Sequence, residues 1–209
     1  MSREAQVRFC ERPGVKFPRA THLVMCFQKE QDAQAMRKSL DERVAKFGLK
    51  LHPEKTRVIR FGRFAREQNE AQGLPKPETF DFLGFTHIAG LSREGKFQLQ
   101  RCTSRKKRKA KLARLKDEVR QRRHTPVIEQ YAWLSSVLTG HYRYYGVPTN
   151  YRALAQFRER VRHMWHASLQ RRSQRGRWNE QKYKSFNERF SLPRPHIHHP
   201  WPRTRFALR

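Results

Sequence analysis

An excess of positive charge restricts how this chain can fold. Its 209 residues include 47 Lys and Arg against 18 Asp and Glu, a formal net charge of +29, and only 36% of them are hydrophobic. Charge of one sign repels itself in a compact state, and a polyanion relieves that repulsion. The 14 Phe, 6 Tyr and 4 Trp still provide enough large apolar surface for modest cores. We therefore expect a folded protein whose partner is nucleic acid, with an anionic membrane surface as the weaker alternative.

The cysteines and the apolar runs exclude several classes of protein. Cys10, Cys26 and Cys102 are too few and too scattered for a disulfide framework, and no Cys-x-x-Cys pair indicates structural zinc. The longest uninterrupted apolar run, residues 23–27, is far shorter than the roughly 20 residues that span a bilayer. Charged residues interrupt the N-terminus, which argues against a signal peptide. We expect a cytoplasmic protein with no cofactor and no membrane partner.

The charge is distributed unevenly along the chain. Residues 1–99 carry 19 basic and 12 acidic groups, whereas residues 100–209 carry 28 and 6. The first part mixes strand and helix patterns, and the second has a helical period, so the sequence predicts an α+β fold. We expect a short sheet with one helix and a hairpin, followed by a mainly α-helical domain. The predicted divisions are an irregular N-terminus at 1–22, the mixed segment at 23–100, the helical domain at 101–190 and an extended tail rich in Pro, His and Arg at 191–209.

In the mixed segment, residues 23–27 are typical of a short buried strand. A helix is predicted over residues 28–47, with Gly48 as its stop, because apolar residues recur there at spacings of three and four. A second strand is predicted at residues 58–61 and a loop at 62–77. Alternating apolar residues over 80–99 predict a hairpin whose turn lies at residues 92–95.

Four helices are predicted in the second part. The first runs from a cap at Thr103 or Ser104 to about residue 123, and the second covers about 128–139 and ends at Gly140. Thr149 or Asn150 caps the third, and Asn179 caps the fourth. Four prolines after residue 192 predict an extended, loosely ordered tail.

The densest basic run lies on the first of these helices. Each phosphate that such a helix neutralises releases condensed counterions, which favours binding to any nucleic acid. Asp117 and Glu118 are the only acidic residues on the helix, too few to neutralise it. The alternatives are a solvated helix face and a localisation signal. The predicted RNA-binding residues here are Arg105, Lys106, Lys107, Arg108, Lys109, Lys111 and Arg114.

A run of aromatic and basic residues, predicted to link two helices, is the second candidate. In a non-helical link, its rings could stack on unpaired bases while Arg143 holds a phosphate. Tyr side chains that pack one helix against another explain the pattern equally well. The predicted contacts are His141, Tyr142, Arg143, Tyr144 and Tyr145, with Arg171 and Arg172 completing the set.

Histidines and carboxylates give weaker indications. His163, His166, His196, His198 and His199 suggest a metal, but no Cys lies near them, and zinc needs several converging ligands. The clustered carboxylates fall on polar helix faces or in loops. We therefore predict neither a metal site nor a catalytic residue.

Three blocks of the sequence carry a family resemblance. LHPEKT at residues 51–56, FDFLGFTH at 80–87 and GHYRYYGVP at 140–148 resemble, in order and spacing, the C-terminal part of group II intron reverse transcriptases and maturases. The resemblance implies that residues 23–61 are the end of the polymerase palm and that residues 103–190 are the helical thumb, or domain X. In that family this domain grips intron RNA and assists its folding and splicing. The hairpin would be primer-grip-like, through Phe82, Leu83, Gly84 and Phe85.

One departure from the family concerns catalysis. Its polymerases carry an aromatic-x-Asp-Asp turn before the strand at 23–27, where this chain has Arg19, Ala20, Thr21 and His22. Two-metal phosphoryl transfer needs carboxylates to hold the metal ions. The third metal-binding Asp belongs upstream of this sequence, and residues 1–22 match nothing in the family, as expected of a truncated or frame-shifted gene.

The sequence therefore predicts an RNA-binding maturase fragment without polymerase activity of its own, associated with ribonucleoprotein. Its partner would be structured group II intron RNA, with non-specific DNA binding in addition. Two alternatives stay open. One is the thumb-supplying part of a split RNA-directed DNA polymerase, with a complementing polymerase chain as partner, and the other is a degenerate, non-functional remnant.

Overall fold

The computed structural model describes residues 3–8, 22–53, 55–172 and 178–201. The chain forms two compact units, Met1–Gln100 and Arg101–Arg209. The first contains most of the strands and the second most of the helical residues, so the fold is α+β. No helix in the described part of the chain is both long enough and apolar enough to cross a bilayer.

The first unit begins with two antiparallel strands and a helix. Strand β1 (Arg3–Arg8) pairs with β2 (His22–Phe27), and α1 (Glu30–Ala45) follows. The predicted strand and helix are confirmed, but the strand is not buried as predicted, since residues 23–27 are half-buried or exposed. Ala33, Leu40 and Val44 form the buried side of α1. The prediction of an irregular N-terminus is wrong for residues 3–8, because they pair antiparallel with β2 along their whole length. Residues 9–21 lie outside the described residues.

Two predictions between α1 and the sheet are wrong. Residues 58–61 form no strand. The apolar residues Ile59 and Phe61 are buried because they pack with Phe80 in a small core, not because they belong to a sheet. Helix α2 (Ala65–Ala71) lies within the predicted loop. It is a short polar helix with an ion pair of 2.8 Å between Arg66 and Glu70, four residues apart, and has too few apolar residues to show a period.

The predicted hairpin is a sheet of three strands, β3 (Phe80–Phe82), β4 (Phe85–Leu91) and β5 (Phe97–Thr103), in that order. Its additional turn is Leu83–Gly84, between the paired residues Phe82 and Phe85. Both turn residues have positive φ, 47° and 81°, as in the type I′ turns that join twisted strands. The residue pattern does not indicate this turn, because Leu is rare at a positive φ.

The second unit is a helical bundle. Its helices are α3 (Arg105–Gln121), α4 (Val127–Tyr145), α5 (Tyr151–Gln170) and α6 (Glu180–Arg189), with a 3₁₀ turn at Pro148–Asn150. Apolar residues spaced three and four apart form one core, as predicted. Its most buried members are Leu115, Leu134, Leu138, Leu154, Phe157, Val161 and Trp165. Asn179 caps α6 as predicted, since its side chain accepts a hydrogen bond of 2.9 Å from the Lys182 backbone N–H.

Helix α4 is longer than predicted. Gly140 does not end it, and the helix continues to Tyr145. The reason is packing: Leu138, His141 and Tyr142, at spacings of three and four, extend its buried side. The residues predicted to link two helices therefore form the last turns of α4.

The tail after α6 is non-helical over residues 191–201, as predicted, but it is not loosely ordered. Leu192 is buried in the core, and the Tyr142 hydroxyl donates a 3.1 Å hydrogen bond to the carbonyl of Pro193. The backbone N–H groups of His198 and His199 both lie 2.9 Å from the carbonyl of Gly146. The carbonyls of this extended segment accept hydrogen bonds from side chains of both neighbouring helices, namely Tyr142 on α4 and Arg158 on α5. Residues 202–209 lie outside the described residues.

Candidate nucleic-acid interface

Helix α3 presents its basic residues outward because its apolar residues fix its orientation. Leu115 and Val119 are buried in the core, and Leu112 packs against it. Ser104 occupies the N-cap position, without a side-chain capping hydrogen bond. Most of the basic side chains are exposed in consequence, namely Arg105, Lys106, Lys107, Lys109, Arg114, Lys116 and Arg120.

The basic side chains of α3 do not form one surface. At 100° per residue, Lys107, Lys111 and Arg114 share one side of the helix, whereas Lys106 and Lys109 point elsewhere. Lys107, Lys111 and Arg114 line a groove between α3 and α4. We call these three residues the groove row.

Arg108 also borders the groove but is partly used within the bundle. It is half-buried, and its Nη1 donates a 3.2 Å hydrogen bond to Gln156 Oε1 on α5. Arg108 therefore has fewer donors left for a ligand than the exposed residues of the same helix.

The groove between α3 and α4 has a volume of about 700 Å³. Its α4 wall combines small residues with aromatic ones, and none of its lining residues is acidic. The complete lining is Thr103, Lys107, Arg108, Ala110, Lys111, Arg114, Ser136, Val137, Gly140, His141, Tyr144 and Tyr145.

The positive charge in the groove is only partly neutralised. Arg114 pairs with Glu118, at 2.6 Å between Nε and Oε1. Lys107 and Lys111 form no ion pair with any carboxylate in the described part of the chain. Two ammonium groups thus remain for an anionic ligand.

Tyr144 is the aromatic residue best placed for a ligand. Its side chain is 52% exposed, and its ring meets that of Tyr145 edge to face, with centroids 4.7 Å apart. Tyr145 is half-buried, and burial raises its pKa. Arg143 is exposed, and its backbone carbonyl lies 2.7 Å from His199 Nε2.

Two members of this aromatic run, His141 and Tyr142, are buried in the helical unit, and His141 also lines the groove. Tyr142 is only 2% exposed, and burial raises its pKa. His141 is buried, and its ring stacks on Phe157 at 4.0 Å between centroids. Burial, with the nearby charge of Lys111, lowers the pKa of His141 to about 4, so it is neutral at pH 7. The alternative of helix-to-helix packing is correct for Tyr142.

Arg171 and Arg172, just after α5, also differ in how exposed their side chains are. Arg171 is exposed. Arg172 is half-buried, and its guanidinium donates to the carbonyls of Arg123 and Thr125, just beyond α3. These donors hold two parts of the bundle together, so Arg172 has fewer of them left for RNA than Arg171 has.

The four residues predicted to be primer-grip-like lie in the first unit. Phe85 is buried, Phe82 and Gly84 are half-buried, and Leu83 is 61% exposed at the turn. Only Leu83 offers a large exposed apolar surface among these four residues.

Asn150, predicted only as a helix cap, fixes the end of the groove. It is fully buried and makes no capping hydrogen bond to α5. Its Oδ1 accepts a 2.8 Å hydrogen bond from the backbone N–H of Thr103, and its Nδ2 donates to Thr103 Oγ1 at 2.8 Å and to the Tyr145 carbonyl at 2.9 Å. The segment before α3 is thereby tied to the last turn of α4. Sequence offers no signal for such a bridge.

The described residues contain no group of three His, Cys, Asp or Glu side chains placed to hold a metal ion. Compared with known proteins, the chain matches no protein-family model, no curated protein and no solved structure.

Proposed function

We propose that the helical unit binds structured RNA as a group II intron maturase fragment, and that the chain has no polymerase activity of its own. The observation that carries the proposal is the groove row of α3, in which Lys107 and Lys111 lack a carboxylate partner among the described residues. The resemblance of the three sequence blocks supports intron RNA as the partner.

The physical basis is the electrostatic attraction of phosphates. Residues 100–209 carry 28 basic and 6 acidic groups, and the exposed cations of α3 belong to this half. Each phosphate contact contributes about 0.9 to the slope of log K against log salt for duplexes and about 0.7 for single strands. Binding should therefore be strong at low salt and weaken steeply as salt increases.

Replacing the groove row tests the proposal. We expect Lys107→Ala/Lys111→Ala/Arg114→Ala to lower the affinity for every RNA and to reduce the salt slope by about two to three units. The measurement is fluorescence anisotropy of a labelled, folded group II intron domain titrated with the full chain at several KCl concentrations.

The matched control removes the same charge from the first unit. Lys38, Arg43 and Lys46 are exposed residues on or next to α1. Their triple alanine variant should keep the wild-type slope. An equal loss of slope in both variants would contradict a role for the groove, and no binding to any RNA at low salt would remove the proposal.

Specificity for intron RNA needs a separate comparison. Phosphate contacts alone do not discriminate between sequences. The maturase part of the proposal predicts that the intron domain competes better than an unrelated folded RNA of the same length. Equal competition by the two RNAs would contradict the maturase part of the proposal and would indicate general RNA binding instead.

A further inference from the structure

Position 140 lies in the interior of α4, and no packing contact explains why it is a glycine. Gly in a helix interior costs about 1 kcal/mol relative to Ala. A Cβ added at Gly140 would meet no atom within 4 Å, so no neighbouring side chain requires a glycine here. The effect of the missing side chain is instead to leave the groove open, because Gly140 is part of its wall.

Tyr144 lies on the same side of α4, one turn beyond Gly140. Its half-exposed ring therefore borders the space that Gly140 leaves open. The edge-to-face contact with Tyr145 orients this ring. An oriented, exposed aromatic ring beside an open groove is suited to stacking against a planar ligand.

The opposite wall determines the charge of that ligand. Lys107 and Lys111 are four residues apart on α3, and side chains at this spacing are neighbours. No acidic residue lines the groove. The ligand is therefore planar in one part and anionic in another.

A volume of about 700 Å³ is within the range of sites for small ligands. Proteins recognise unpaired RNA bases by stacking them on aromatic rings, whereas paired bases stay inside their helix. From these observations we infer that the groove between α3 and α4 takes an unpaired RNA nucleotide, with its base on Tyr144 and its neighbouring phosphates on Lys107 and Lys111. This inference rests on the proposed function and names the class of RNA that the site selects.

The test compares two hairpin RNAs that differ by one bulged nucleotide. Both are labelled and titrated with the full chain in the same buffer, and fluorescence anisotropy gives the two dissociation constants. Stacking of one base on one ring predicts that the bulged RNA binds about tenfold more tightly than the fully paired RNA.

Two independent variants should remove this preference. Tyr144→Ala removes the ring, and Gly140→Leu fills the groove while every cation stays in place. Each should abolish the preference, so that the bulged RNA and the paired RNA bind with the same dissociation constant within about twofold. Tyr144→Phe keeps a ring and should keep the preference. The matched control is Tyr151→Ala, because Tyr151 is 51% exposed on α5 and does not line the groove.

The outcomes separate this inference from the proposed function. Equal binding of the two RNAs by the wild type, or a preference that survives both Tyr144→Ala and Gly140→Leu, overturns the inference and leaves RNA binding intact. Failure to bind either RNA at low salt removes both. Displacement of the bulged RNA by polyglutamate at equal charge concentration would show an acidic polypeptide site and would also overturn the inference.

Discussion

Replacing Asn150 by alanine should destabilise the helical unit strongly. Asn150 is fully buried and makes three hydrogen bonds, two to Thr103 and one to the Tyr145 carbonyl. Alanine makes none of them. The Thr103 N–H then loses its Asn150 partner, whereas the Tyr145 carbonyl keeps its 2.8 Å hydrogen bond from the Val147 N–H.

The magnitude follows from the groups left without a partner. A buried donor or acceptor that loses its hydrogen bond costs about 1–3 kcal/mol. Asn150→Ala leaves the buried Thr103 N–H without this partner and removes two further hydrogen bonds worth about 1 kcal/mol each, so we expect a total loss of about 3–5 kcal/mol. Domains of this size have a total stability of roughly 5–15 kcal/mol, so this is a large part of it.

Urea unfolding followed by Trp fluorescence measures this loss. All four Trp residues lie in the helical unit, at positions 133, 165, 178 and 201, so the signal reports this unit alone. The control is Asn187→Ala on α6, where the amide donates one hydrogen bond to the Tyr183 carbonyl a turn earlier. It should cost less than about 1 kcal/mol. A loss for Asn150→Ala no larger than the control would refute the reasoning.

Two further predictions concern pH and the sheet. Burial lowers the pKa of His141 and of His166 from 6.5 to about 4, so the unfolded chain binds protons that the folded chain does not. The free energy of unfolding should reach its full value above about pH 6.5. It should decrease as the pH falls towards 4, by up to about 3 kcal/mol for each histidine. Urea midpoints at pH 7 and pH 4.5 measure this, and a His141→Phe/His166→Phe variant with the same pH dependence as the wild type would contradict it. In the first unit, Leu83→Asn should stabilise by about 1 kcal/mol, because Asn tolerates positive φ better than Leu. A circular dichroism melt should show a higher transition temperature, and a lower one would mean that the Leu83 side chain contributes more than its backbone strain costs.

The helices and the charge were predictable from local patterns. Leu154, Phe157 and Val161 recur at the 3.6-residue period, and this spacing identifies a buried helix side whatever it packs against. Asn179 was recognisable as a cap because its partner, the Lys182 N–H, is only three residues away. The basic character of α3 follows from composition, since too few acidic residues accompany its cations.

The groove depended on contacts between residues distant in sequence. Tyr142 and Tyr144 stand two residues apart in one motif, yet the first is in the core and the second is half exposed, because α4 continues through Gly140. Asn150 and Thr103 are 47 residues apart, and no local period relates them. A helical period gives the angle between side chains but not the identity of the neighbouring helix. Local patterns therefore identify one half of the protein as helical and basic, whereas the packing of helices distant in sequence selects which cations and which ring share a groove.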